Sequence, residues 1–366
     1  MIDLMSVTTS CSDLETKYEK FAAPTVEVEV ASTKLVSSTQ LIIKDVEVEL
    51  TSGYEASGAT FTVVNAYEQK NSDFSSDINK VQLGESVSIS LGYITTEEVF
   101  SGYVSRIDYQ IARTGDVSAV RVECMDAKGM LMKNRRLEMF EKKTPGSLIK
   151  QILGEKPVAD YLDGMDITEG NEEEIALRAS MLTDYEIIVE QAKKHGYEFF
   201  IIQGKAHYAK RESVSSSIMT LTPMDLLYSA RLILDSQKLV KTVEVRSIDG
   251  NSGELVTGEG TISGTFSSSS SGNKMLGTSK QVFYEAGVVD NAEAVARATA
   301  RVEAMAATFG EIECECVGIP EIGPARFIEL DRVSEVMNKK YYITYVKHTI
   351  GENGFTTTFK GGLKSL

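Results

Sequence analysis

The sequence predicts a mainly β chain with an α+β insert: two antiparallel β-barrel domains with a small α+β domain between them. Three observations carry this. Apolar and acidic residues alternate at Val26-Glu27-Val28-Glu29-Val30 and at Val46-Glu47-Val48-Glu49-Leu50, the period-two pattern of half-buried antiparallel strands. A β pattern occurs twice. Leu83-Gly84 precedes an outgoing strand ending Ile89-Ser90-Leu91 and a return strand with Tyr103-Val104; Ile322-Gly323 precedes Ile328-Glu329-Leu330 and a return strand with Tyr345-Val346. Each copy continues through a glycine turn, Gly115 or Gly354, into a third strand. A repeated unit points to two like domains in one chain. Helix-type periodicity, in contrast, concentrates in the middle of the chain.

Taken in order, residues 1–23 are an N-terminal arm, polar and read as loose or as a short helix. Residues 24–126 are the first barrel. After the two alternating segments come strands at Thr60–Asn65, Ser86–Leu91, Glu98–Ile111 and Ser118–Met125, punctuated by Gly53, Gly58, Gly84 and Gly92. Residues 127–211 are the α+β domain. Thr144-Pro145 opens a helix with proline in the first turn, and Gly154 ends it. Thr183-Asp184-Tyr185-Glu186 is a capping box, and Tyr185, Ile188, Val189 and Ala192 mark the apolar stripe of the helix that follows. His195-Gly196 closes it, and a hairpin turns at Gly204. Residues 212–366 are the second barrel. It carries a Ser-rich loop at 263–280, read as mobile, and a helix at 291–309 capped by Asp290 and stopped by Gly310.

Composition excludes several functions. Among 366 residues, 53 are acidic and 38 basic, a net charge of −15, which opposes general nucleic-acid binding and docking on an anionic membrane. The N-terminus has no signal-peptide pattern, and no run approaches the roughly 18 apolar residues of a spanning helix. Synthesis in a cytoplasm is expected. The four cysteines show no Cys-x-x-Cys; Cys314 and Cys316 alternate with Glu313 and Glu315 and read as small buried thiols.

No residue is assigned a catalytic, cofactor or metal role. The acids Asp160, Asp163 and Asp166 are three apart, not at calcium-loop spacing, so the stretch 160–174 reads as a solvated loop. Gly258-x-Gly260 with Gly264 has the wrong spacing for a dinucleotide fingerprint and reads as a turn. His195 reads as a helix-terminal residue favoured by the dipole, and His207 and His348 as strand residues with no nucleophile nearby in sequence. The glutamate rows 27/29, 47/49 and 311/313/315 read as a solvated outer barrel face, paired with basic residues or kept apart because like charges directly across strands repel. The sharper reading lets some of them line a wet channel in an oligomer.

Three segments resemble a known family. Thr183–Phe200 is similar to its helix entering a Gly-Tyr-Glu-Phe strand. The 296–309 helix leading to Ile322-Gly323-Pro324 is similar to its late helix and strand. Tyr341–His348 with Thr356–Phe359 is similar to its closing hairpin, and Lys20–Pro24 fits hubs of phage-like particles. The family is the central baseplate hub of contractile injection systems: the phage late control protein D family and the hub part of type VI secretion spike proteins. The resemblance implies a non-enzymatic homotrimer with two tube-like barrels per subunit. Its six barrels would match a hexameric tail tube, or a tube-initiator protein, on one side and a trimeric spike on the other. It implies other baseplate proteins as partners, no cofactor, no nucleic acid, and no membrane contact at rest. The chain would be made in a bacterial cytoplasm and built into a virion or a phage-tail-like particle. Because the sequence stops at Leu366 without a needle, the spike is expected on a separate polypeptide. The rival expectations are a tail-associated cell-wall or polysaccharide hydrolase, with the 160–174 carboxylates as its only candidates, and a carbohydrate-binding tip protein, which the lack of tryptophan disfavours.

Overall fold

A computed structural model describes residues 2–68, 70–112, 118–169, 175–250, 252–267 and 274–366. Gly115, Glu172–Glu174 and most of the serine run lie outside the described residues.

The N-terminal arm is a docked strap. Helix α1 (Cys11–Lys17) is capped by the Ser10 side chain, and Leu4, Leu14 and Tyr18 flanking and within it are fully buried. Each such side chain contributes about 2 kcal/mol of apolar burial. The strap also satisfies buried polar groups. The Arg326 guanidinium, fully buried, donates to the Leu4 and Val7 carbonyls at 3.0 and 2.8 Å. Lys17 Nζ bridges Glu97 and Glu321, each at 2.8 Å, and Tyr18 donates to the same Glu321 oxygen. Polar composition suggests looseness, but Arg326 and Glu321 lie some 300 positions away in sequence and cannot be read locally. Lys17→Met leaves the buried Glu321 carboxylate without its cation. The expected loss is about 2 kcal/mol, less than for a wholly buried pair because Lys17 is partly exposed. A urea midpoint unchanged from wild type would contradict the role given to Lys17.

The first β-module follows. Its strands are β1 (Thr25–Val30), β2 (Thr33–Lys34), β3 (Ile43–Thr51), β4 (Gly58–Val63), β5 (Tyr67–Glu68), β6 (Asp73–Phe74), β7 (Ser86–Gly92), β8 (Thr96–Gln110) and β9 (Ala119–Met125). A one-turn helix, α2 (Leu35–Ser38), lies against β1, with the Glu27 carboxylate accepting from the amides of Val36 and Ser37.

The middle module contains α3 (Lys128–Leu131), β10 (Arg135–Lys143), α4 (Pro145–Leu153), β11 (Gly164–Ile167), β12 (Ile175–Thr183), α5 (Asp184–His195), β13 (Tyr197–Ile202) and β14 (Lys205–Lys210). Its core runs from Ala127 to Tyr208. The Thr183–Glu186 capping box is formed, and Gly196 takes the left-handed conformation at the C-cap with φ 68°.

The chain then returns to β through β15 (Ser217–Leu221) and β16 (Leu227–Leu234). Next comes a segment with a sheet and core of its own: β17 (Thr242–Ile248), β18 (Leu255–Thr261), β19 (Lys280–Tyr284) and helix α6 (Asn291–Ala306). The 291–309 helix expected inside the second barrel thus packs on a separate three-stranded sheet ordered β18–β17–β19. Gly258 and Gly260, read as a turn, are in strand β18. They are glycines because α6 lies directly on them: a Cβ at Gly258 would sit 2.1 Å from the Val295 nitrogen. Strands β20 (Gly310–Val317), β21 (Phe327–Leu330), β22 (Lys340–Gly351) and β23 (Gly354–Leu363) complete the chain.

The two β-modules share one strand order. Leaving aside the two-residue strands, the first is ordered β3–β4–β9–β8–β7–β1 and the second β16–β20–β23–β22–β21–β15. Each reads second, third, sixth, fifth, fourth, first in chain order. They differ in one direction: β1 is antiparallel to β7, whereas β15 is parallel to β21. Local geometry repeats as well. Strand β8 has a bulge between Val104 and Arg106, and β22 one between Ile343 and Tyr345. Val104 exchanges backbone bonds with Gly84 and Glu85, as Ile343 does with Ala325 and Arg326. Gly84 and Ala325 both have positive φ, 84° and 62°. The true partner of Gly84 is therefore Ala325, not the Gly323 that the sequence pattern suggested. The repeat conserves a backbone conformation, not the residue that most easily adopts it.

The modules are joined edge to edge. Beyond Thr344, strand β22 pairs antiparallel with β3, from Tyr345 opposite Thr51 to Ile350 opposite Val46, so both belong to a single 13-stranded sheet. One hydrophobic core runs through both modules and the strap.

Candidate assembly surface

The three histidines lie at separate places in the fold. Strand β14 places His207 in a buried site, stacked on Phe200 with ring centroids 5.0 Å apart and its Nδ1 3.6 Å from Asp166. Burial lowers its pKa to about 4, against the opposing pull of Asp166. Strand β22 buries His348 completely, its Nδ1 2.9 Å from Thr357 Oγ1, and burial lowers its pKa to about 4 as well. That hydroxyl–imidazole contact was not legible in sequence. Both residues are buried, and the Thr357 hydroxyl already accepts from the Ile319 amide. His195 sits in the last turn of α5 beside Lys193 and Lys194.

The described acids of the 160–174 stretch face separate partners. Asp160 pairs with Lys156, Glu169 with Lys150, and Asp166 faces His207. Among the described residues no His, Cys, Asp and Glu cluster is arranged to hold a metal. Cys314 and Cys316 are buried on one face of β20, and burial raises both thiol pKa values, Cys314 to about 12.

One side of the 13-stranded sheet is an organised polar surface. The glutamate rows share this side, because cross-strand register carries Glu315 to Thr358, Thr358 to Lys347 and Lys347 to Glu49. The rows are laced with cations. Lys347 Nζ reaches Glu47 at 3.0 Å and Glu49 at 3.4 Å across the module junction, and Glu313 lies between Arg231 and Lys360 in register. The middle module covers part of the same side, where the Tyr342 hydroxyl donates to Glu198 and Tyr103 packs on Tyr161. The rest is open to solvent.

Large apolar side chains are exposed at two edges of this sheet. Strand β16, hydrogen-bonded on one side only among the described residues, shows Tyr228, Ile233 and Leu234; the far end of β8 shows Tyr109 and, just past it, Ile111. Long apolar edges are unusual in a chain meant to stay single.

The fold is shared with solved phage tail proteins and with a component of the type VI secretion system, as the resembling segments implied. A tail protein of prophage MuSo2 from Shewanella oneidensis superposes with TM-score 0.68 at 12% identity, covering 93% of this chain and 98% of that one. A tail protein from Neisseria meningitidis gives TM-score 0.70 at 9% identity, with 93% and 97% covered. The E. coli c3393 protein, a component of the type VI secretion system, gives 0.55 at 11% identity, with 91% and 76% covered. These likenesses define a class by fold. The chain itself belongs to the family described as the Alg8 N-terminal domain, whose model matches residues 21–352. No curated protein matches in sequence.

Proposed function

We propose that the chain is a structural, non-enzymatic hub subunit of a contractile tail or injection particle. Three copies form a ring of six tube-like β-barrel modules, which matches a hexameric tail tube on one face and a trimeric spike on the other. The observation that carries this reading is the repeated strand order, reinforced by relatives of the same fold in phage tails. A chain with two like modules lets a threefold assembly present sixfold features. Such a ring needs heterologous contacts between unlike surfaces, which a chain with different modules at its two ends provides. The exposed part of the Glu47, Glu49, Lys347 and Glu313 side of the sheet lines the channel, where ion pairing keeps it wetted but not strongly charged. The middle module decorates the ring and meets other baseplate proteins. The chain is made in the bacterial cytoplasm and carried in the particle. Multi-angle light scattering at high concentration tests this: a mass of three chains is expected, and a single-chain mass at every concentration would overturn it.

A further inference from the structure

The junction inside the chain specifies the junction between chains. Resting on the ring reading above, we infer that the open edge of β16 pairs antiparallel with the far half of β8 in a second copy, in the register that β3 and β22 use within one copy.

The argument is one of equivalence. Aligned on their bulges, β8 and β22 superimpose Val104 on Ile343 and Asp108 on Lys347. Carried through β9 and β23, then β4 and β20, the same register superimposes β3 on β16, with Glu47 on Arg231, Val48 on Leu232 and Leu50 on Leu234. In the second module, β22 gives its edge first to β21 and then, past Thr344, to β3. In the first module, β8 gives the equivalent edge to β7 only as far as Val104. Its residues Arg106–Gln110 pair with β9 alone among the described residues. The matching strand, β16, has no second partner strand among the described residues either. One chain therefore carries one filled junction and the two unfilled halves of another.

The side chains fit that register. Residues at Val346/Leu50 and His348/Val48 of the internal junction face the core; their counterparts are Ile107/Leu234 and Tyr109/Leu232, again apolar. Pairing covers Tyr109, Ile233 and Leu234, which are 50%, 43% and 41% exposed in the single chain. On the polar side, Tyr345/Thr51 becomes Arg106/Asp235, a pair of opposite charges. The internal Lys347–Glu47 ion pair, 3.0 Å, becomes Asp108 with Arg231: the same positions with the signs exchanged.

The exchange supplies specificity. Offered β3 of another copy, β8 would set Asp108 against Glu47 and Glu49. Offered β16, β22 would set Lys347 against Arg231. Like charges across strands are unfavourable, so each edge rejects the wrong partner and the modules alternate around the ring.

The test is disulfide trapping in the full chain. Asp108→Cys with Ile233→Cys places two thiols on directly opposed residues, whose Cβ atoms are about 5 Å apart in such pairs. Mild oxidation should give a ladder of covalent dimers and higher species on a non-reducing gel, absent from wild type and from each single variant. Asp108→Cys with Ser229→Cys lies about 13 Å out of register and should give none. Charge exchange provides a second readout: Asp108→Arg and Arg231→Asp should each weaken assembly at least tenfold, and together restore it. If light scattering shows an oligomer but the paired cysteines do not cross-link and the charge exchange does not rescue, this junction is wrong while the ring stands. If the chain stays single throughout, both readings fall.

Discussion

Replacing Gly258 with alanine is expected to cost at least about 3 kcal/mol, at the upper end of overpacking substitutions. The added Cβ would lie 2.1 Å from the Val295 nitrogen and 2.3 Å from the Ala294 carbonyl carbon. Both are backbone atoms of α6, so no rotamer change relieves the clash. The helix must lift from β18, and with it Ala294, Ala298 and Val302, which fill the small core between them. Gly260 faces the same helix, its Cβ position 2.6 Å from the Ala298 carbonyl carbon, so a pivot about either point opens the other. The loss should be local first. Amides of β17 and β18 should lose hydrogen-exchange protection, while β3 and β22, in a different core, keep theirs. Thr257→Ala, on the opposite face of β18, is the control and should change stability by less than about 1 kcal/mol. Full protection of β18 in the alanine variant would show that the helix does not rest on these glycines as described.

The second large effect is acid sensitivity at His348. The imidazole is fully buried and its pKa is lowered to about 4 from 6.5. In the unfolded chain it takes up a proton near 6.5; in the folded chain it does not until about 4. The unfolded state thus binds the extra proton across this window, so stability is lost as pH falls from about 6.5 to about 4, and nothing is contributed above 6.5. At pH 5 the cost is about 2 kcal/mol, growing to about 3 near pH 4. His207 acts with the same sign over the same window. Asp126, fully buried, and Glu198, partly buried, have raised pKa values, from burial above all, and act with the opposite sign, so the slope of wild type alone does not isolate a histidine. A difference measurement does. Urea unfolding of wild type and His348→Gln at pH 7.5 and pH 5 should show the variant losing about 2 kcal/mol less between the two pH values. Equal losses would mean that His348 is not held neutral by its burial.

Much of the fold was legible because its signals are local. The capping box at Thr183, the proline start at Pro145 and the alternation in β1 and β3 each lie within a few residues, and each formed as read. What escaped depends on distant partners. The strap looked loose because its contacts, Arg326 and Glu321, lie at the other end of the chain. Strand β16 is hard to read from sequence because Tyr228 and Ile233 break the alternation of Ala230, Leu232 and Leu234, both sides being apolar near its end. If that edge pairs with another copy, this is what a strand with a hidden second partner should look like. Gly258 and Gly260 imitated a turn because close approach of a helix and a tight bend select the same residue.

The glutamate rows teach a different point. Sequence placed them on a solvated face with basic neighbours, and Lys347 between Glu47 and Glu49 is such a neighbour. Sequence did not reveal that this lysine marks the seam between modules. That needed strand register, which a one-residue slip would invert, and which bulges rather than residue identity fix here.

The central claim is that two modules of one strand order let three chains build a ring with sixfold features. Electron micrographs of the purified chain test it most directly. Axial class averages should show six similar densities around an open channel. Averages showing lone particles, or a closed assembly without a channel, would contradict it.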